Sequence, residues 1–213
     1  TIIFITLVLI SICVSHNNIP LPPPLILPSS SSFSPNFSSY DNTNLTYFNL
    51  SVKKTNKGFL GVVRSSFSSG SNVYSSPYSI TLDNIGNIIE LDPIDFSYLN
   101  LNNCHPNLIK NGVCANGIED PNIFVYQNED WIIANYLGSS NQYHPCVDVL
   151  SIFKLSDPYN SFKLLSPPKN INLSQKQKNW SPFEYNGRLL CEYSLEPHII
   201  LEININDGST SII

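Results

Sequence analysis

Residues 121–139, PNIFVYQNEDWIIANYLGS, decide the fold. A run of Ile123, Phe124, Val125 and Tyr126 enters, a polar bend from Gln127 to Asp130 turns it, and Trp131-Ile132-Ile133-Ala134-Asn135-Tyr136 returns. Short runs rich in β-branched and aromatic residues, bounded by polar clusters, read as strands. Two other stretches share the layout. Residues 51–66, SVKKTNKGFLGVVRSS, turn at Lys57-Gly58, and residues 181–197, SPFEYNGRLLCEYSLEP, turn at Asn186-Gly187, a strong type I′ hairpin signal. In each, the apolar return strand ends near Arg64, Tyr136 or Tyr193, and further strand material follows around residues 80–89, 149–165 and 199–213. No segment sustains helical apolar spacing with caps, so helices should be few. A repeat of roughly 60–70 residues suits four-stranded propeller blades with long loops. A β-sandwich gives similar strand spacing, so the period by itself leaves both architectures open.

The 213 residues are 42% hydrophobic and 11% aromatic, too apolar for a wholly disordered chain. With 13% charged residues, a formal charge of −5 and no basic stripe, nucleic acid is not an expected partner. Residues 2–14, IIFITLVLISICV, form a nearly continuous apolar run. It is short of the about 20 residues that span a bilayer and matches the core of a secretory signal. Cys13-Val14-Ser15 supplies the small residues of a cleavage site. With further apolar residues in front, the same run would be an uncleaved anchor, the one route to a membrane; a buried core strand is the alternative. Methionine is absent even from position 1, so a lost start is expected. Residues 1–15 thus read as a signal peptide or signal anchor. Residues 16–44, with Pro20, Pro22, Pro23, Pro24, Pro28 and the Ser29–Ser32 run, read as a linker or stem, and residues 45–213 as the folded domain.

Secretory routing, to the outside or to the Golgi or ER lumen, has two further supports. Glycosylation acceptors of the N-x-S/T type occur at Asn36, Asn44, Asn49, Asn172 and Asn179. Beyond Cys13 four cysteines remain, Cys104, Cys114, Cys146 and Cys191, an even number that suits disulfides. Three connectivities are open, of which Cys104 with Cys114 closes the short loop. No C-x-x-C pair is present, so a zinc site is not expected. Nor does a Gly-rich phosphate loop appear, so no nucleotide cofactor is expected.

The sharpest chemical element is Gly117-Ile118-Glu119-Asp120-Pro121. Pro121 biases Asp120 towards an extended backbone. In a propeller such a turn would sit where an innermost strand begins, beside the central channel. A carboxylate there, near apolar Ile118 and Ile123, could hold a proton for general-acid work; the plainer reading is a loop aspartate capping a turn.

GIEDPNIFVYQNEDWIIANY, residues 117–136, resembles the G-x-E-D-P-R segment of the glycoside hydrolase 130 group. These are five-bladed β-propeller β-mannoside phosphorylases and hydrolases, neighboured by β-1,2-mannosyltransferases. Residues 49–66, NLSVKKTNKGFLGVVRSS, are similar to that group's opening blade, whose second strand also ends on arginine. Residues 177–200, QKNWSPFEYNGRLLCEYSLEPHII, resemble the third blade of relatives carrying K-N-W-x-P-F. The resemblance implies an all-β fold, an incomplete five-bladed propeller of about three blades, with further blades expected beyond Ile213. It implies Asp120 as general acid and Glu119 as the acid that orients sugar hydroxyls. Arg64, Lys178, Asn179, Trp180 and His198 fall at positions for substrate or phosphate contacts, Trp180 as a stacking ring. Against these stand a surface strand end for Arg64, a solvated run for Lys178, a core aromatic for Trp180 and a structural histidine for His198. The chain departs from the pattern at Asn122, where the group has arginine, which weakens phosphorolysis more than sugar binding.

The implied function is a carbohydrate-active enzyme, hydrolase or phosphorylase, on β-mannosides or related glycans, with inorganic phosphate a second partner in the phosphorylase case. The alternatives are a propeller-type β-mannosyltransferase of the secretory pathway and a non-catalytic glycan-binding propeller.

Overall fold

The computed structural model describes residues 45–69, 72–96, 109–110, 113–137, 149–166, 168, 180–195 and 197–213. The leader and stem ranges therefore lie outside the described residues, as do Asn36, Asn44, Asn172, Lys178, Asn179, Cys104 and Cys146 and the side chain of Cys114.

Four strands make the first unit: β1 (Thr46–Thr55), β2 (Gly58–Ser69), β3 (Asn72–Leu82) and β4 (Ile88–Pro93), each antiparallel to the next. After the two-residue β5 (Ile109–Lys110), the second unit repeats the plan in β6 (Val113–Tyr126), β7 (Glu129–Leu137), β8 (Val149–Lys154) and β9 (Lys163–Leu164). A single helical turn, α1 (Pro158–Ser161), joins the last two, capped by the Asp157 side chain. The third unit is β10 (Ser181–Tyr185), β11 (Arg188–Leu195), β12 (His198–Ile203) and β13 (Thr210–Ile212). The three quoted stretches are thus the first hairpins of three four-stranded blades. The blades begin at Thr46, Val113 and Ser181, an even repeat that a sandwich would not require.

The hairpins form for a local reason. Asn186 and Gly187 have φ of 51° and 73°, the paired positive values of a type I′ turn, whose twist matches that of the strands. Gln127 and Asn128, at 51° and 60°, adopt the same turn without a glycine.

Two apolar clusters hold the blades together, one on each face of the second. Val62 of β2, Ile94 and Phe96 after β4 and Ile118, Ile132, Ala134, Tyr136 and Phe153 of the second blade form one. The other joins Trp131, Ile133, Leu150 and Ile152 to Trp180, Leu189, Cys191, Leu201 and Ile203 of the third blade. Alternation along β7 sends Ile132 and Ala134 one way and Trp131 and Ile133 the other, as a period of two demands. A strap beyond β9 reinforces the second junction, with Ser166 N donating to Gly208 O at 2.8 Å and Thr210 Oγ1 to Ser166 O at 2.7 Å.

Two expectations are corrected here. Cys191, counted among the disulfide candidates, is a free, fully buried thiol, because its inward position on β11 packs it into the second cluster. Trp180 is only 3% exposed and packs edge-on against Tyr193 in that cluster, so its ring fills core and offers no open face for a sugar.

Candidate active site

The first two blades do not merely stack. Asn72–Ser75 of β3 pair in parallel with Cys114–Gly117 of β6, so the sheets run together at one end. The join requires Gly117: its φ is 114°, and a Cβ there would stand 1.9 Å from the Ser75 carbonyl oxygen. Immediately beyond it lie Glu119 and Asp120.

The E-D-P element is not a turn before a strand but lies inside β6, and Asp120 is not extended. Its φ is 50°, in the left-handed region, and the β6–β7 register slips between Glu119 and Asn122. This is a β-bulge, which re-aims the side chain that it carries. The first strand of the neighbouring blade carries a bulge too. The β1–β2 register slips between Phe48 and Ser51, and Asn49 takes φ of 55°. Aspartate and asparagine are the side chains that visit this conformation most readily. The bulges face each other: Asn49 Nδ2 donates to Asp120 Oδ1, and Ile123 N donates to Ser51 Oγ at 3.1 Å. The extended backbone that Pro121 would favour at Asp120 is therefore not adopted.

Arg64 completes the cluster. Its Nη1 donates to Asp120 Oδ1 at 3.0 Å, and its Nη2 to Glu119 Oε1 and, at 2.9 Å, to Ser75 Oγ. Nε reaches the same Ser75 oxygen at 3.1 Å, while the guanidinium lies 4.6 Å from the centre of the Phe48 ring. One planar cation thus bridges two carboxylates that are neighbours in sequence, and it is held flat from below by an aromatic face. The three charged side chains are between 10% and 24% exposed, enough for a ligand to reach Asp120 while the Arg64–Glu119 pair is largely shielded. Such a cluster can donate and accept hydrogen bonds to several hydroxyls at once and can deliver a proton from a carboxyl group.

No family model matches the chain, and no curated protein matches its sequence. Solved structures do match. Zg3597, a family 117 glycoside hydrolase produced by the marine bacterium Zobellia galactanivorans, superposes with a TM-score of 0.52 at 8% identity, over 80% of this chain and 56% of that one. This likeness shows the fold alone, a β-propeller built of four-stranded blades. A protein from Parabacteroides distasonis assigned as a glycoside hydrolase aligns at TM-score 0.46 and 14% identity, over 78% of this chain and 50% of that one. An exo-1,5-α-L-arabinanase from a bovine ruminal metagenomic library aligns at 0.40 and 10%, over 81% and 54%. This chain therefore spans about half the length of the structures that it matches.

Within this propeller, the structure gathers three of the residues singled out from sequence, Arg64, Glu119 and Asp120, although 55 residues separate Arg64 from Glu119. His198 stands elsewhere, on β12 of the third blade, exposed and 3.1 Å from Glu192. Three contributors were not singled out for the site. Asn49 read as a glycosylation acceptor, and its N-L-S signal masked its place on Asp120. Ser75 lies in a serine-rich stretch with nothing to mark it. Phe48 could have been found as the register partner of Arg64, an aromatic opposite a cation. Among the described residues no group of acids, histidines and cysteines is arranged to hold a metal ion, and no helix is long and apolar enough to cross a membrane.

Proposed function

We propose that this propeller is a carbohydrate-active enzyme that cleaves β-mannosides or related glycans, as a hydrolase or phosphorylase. The observation that carries the proposal is the bridging of Glu119 and Asp120 by Arg64 at paired bulges on the first strands of two adjacent blades. The bulge at Asp120, which re-aims its side chain, supports this reading. In this reading Asp120 passes its proton to the glycosidic or a neighbouring oxygen as the bond to the leaving sugar breaks. Water or inorganic phosphate attacks the opposite face of the ring; an attacking water releases its proton to solvent, from which Asp120 is reprotonated. Glu119, Ser75 and Arg64 hold hydroxyls of the sugar in register with that attack. Asn122 is exposed and stands where the resembled group has a cationic contact, which favours water over phosphate as the attacking group. The apolar leader and Pro/Ser stem would take the enzyme into the secretory pathway.

One feature favours a second reading, a non-catalytic glycan-binding propeller. Asp120 Oδ1 accepts from both Arg64 and Asn49, so the carboxylate is tied up as an acceptor. Turnover of β-linked mannobioses by the wild type and by Asp120→Asn separates the two. Loss of a general acid costs about 10²–10⁴-fold in rate. Turnover that survives the substitution removes Asp120 from the chemistry, and a wild type that binds these glycans without cleaving them is a binding module.

A further inference from the structure

Asn135 lies in the middle of β7 and is directly opposite Glu119 in the β6–β7 ladder. Cross-strand partners share a face of the sheet, their Cβ atoms about 5 Å apart. Only 3% of Asn135 is exposed, and its Oδ1 is fully buried with no hydrogen-bond partner among the described residues. The other buried polar side chains among the described residues have partners. Ser65 donates to Ser76 O at 3.0 Å, Ser151 to Ala134 O at 3.1 Å, and Ser75 lies on Arg64. Trp131 Nε1 is also without a partner among the described residues, but that indole fills core volume and carries Lys154 over its ring at 5.4 Å. A carboxamide has no such excuse, since leucine has nearly its size and would fill the same space without the desolvation cost. Buried acceptors left unmet in a native fold call for a functional account.

We infer that Asn135 is a ligand-recognising residue of the Arg64–Glu119–Asp120 site, whose Oδ1 accepts a hydrogen bond from a ring hydroxyl of a bound pyranoside. The inference rests on the reading of that site as one for sugars and adds a residue to it. Rotation about the soft χ2 torsion of the amide presents Oδ1 to a hydroxyl lodged against Glu119. The acceptor character matters: Glu119 and Asp120 also accept, so the three together select a ligand that brings several O–H donors on adjacent carbons.

The test uses the full chain with Asn135→Leu and Asn135→Ala, their melting temperatures, and their affinity for methyl β-D-mannopyranoside, methyl β-D-glucopyranoside and methyl β-D-galactopyranoside. Removing an unmet acceptor should raise the melting temperature of Asn135→Leu by about 2–4 °C. Asn135→Ala should stay within about 2 °C of wild type, and both should weaken the bound hexoside about tenfold. A wild type that binds the glucoside or galactoside but not the mannoside defeats the β-mannoside reading and leaves Asn135 in place if the variants lose that hexoside. The inference is overturned if both variants melt well below wild type, which would show Oδ1 to be satisfied by a buried water. Unchanged affinity in Asn135→Ala, or a wild type that binds none of the three hexosides, overturns it equally.

Discussion

Arg64 sets one nitrogen on Asp120 and another on Glu119, so its removal leaves two adjacent carboxylates facing each other without the cation between them. Glu119 is the more shielded of the two, and stripping a buried charge of its partner is expensive. Arg64→Ala should therefore lose about 3 kcal/mol in urea unfolding. Arg64→Lys keeps the charge but not the fork, and one ammonium cannot span both acids and Ser75. It should recover less than half of the loss. A lysine variant as stable as wild type would mean that charge alone, without the bridging geometry, holds the cluster. If Glu119 is the group that suffers, adding Glu119→Gln to Arg64→Ala should restore stability, a coupling that a double-mutant cycle reads directly.

Among the elements, the two bulges and the parallel join at Gly117 position the site, and each can be tested by its backbone. Gly117→Ala forces a Cβ into the Ser75 carbonyl at a φ that L-residues avoid, and should cost about 2–4 kcal/mol in the same unfolding measurement. A cost under about 1 kcal/mol would mean that β3 and β6 separate easily there. The turn between β12 and β13 makes a pH prediction. Asp207 accepts from the Ser209 hydroxyl at 2.7 Å and the Ser209 amide at 2.8 Å, and these bonds hold its carboxyl below the ordinary value of 3.8. The unfolded chain then binds the proton more tightly than the folded one. The contribution is complete above about pH 4 and disappears as pH falls through the folded value. Asp207→Asn should flatten the acid limb of stability against pH and lower the neutral plateau by the contribution that the carboxylate makes there; an unaltered acid limb would dismiss the turn as a contributor. The same elements show what the sequence could disclose. Asn186-Gly187 is legible because glycine announces a positive φ, whereas Gln127-Asn128 makes the same turn without a glycine, with Asn128 alone to hint at it. E-D-P could be picked out as chemistry, but its bulge could not, because the side chain that meets Asp120 there comes from β1, some 70 residues away. Asn135 was visible only as one polar letter in the apolar run WIIANY, and that its Oδ1 has no partner among the described residues is a property of packing.

At the scale of the molecule, stability depends on the second blade being gripped on both faces, and Cys191 reports on one of those grips. The thiol sits within the cluster shared by the second and third blades, fully buried among residues such as Trp131, Ile152 and Leu201. Burial, with a lesser contribution from the Glu192 carboxylate, pushes its pKa far above the ordinary thiol value. Alkylation needs the thiolate, so both access and ionisation protect Cys191 while the blades are joined. Iodoacetamide at pH 8, followed by peptide mass spectrometry to distinguish Cys191 from the other four cysteines, should find it unlabelled under native conditions and labelled on unfolding. The denaturant dependence of the rate then tells how the propeller comes apart. If labelling tracks the loss of β-sheet circular dichroism, the blades unfold as one cooperative unit, as two shared clusters predict. Labelling well before that loss would mean that the third blade swings away while the Arg64–Asp120 site, built wholly from the first two blades, is still intact. The Ser166 strap favours the cooperative outcome, because it crosses the same junction and ties the end of the second blade to the last hairpin of the third. Thr210→Val, which removes one of the strap's bonds at constant shape, should then bring labelling of Cys191 and loss of circular dichroism to lower denaturant together. An earlier labelling with an unmoved dichroism curve would break the claim of a single unit.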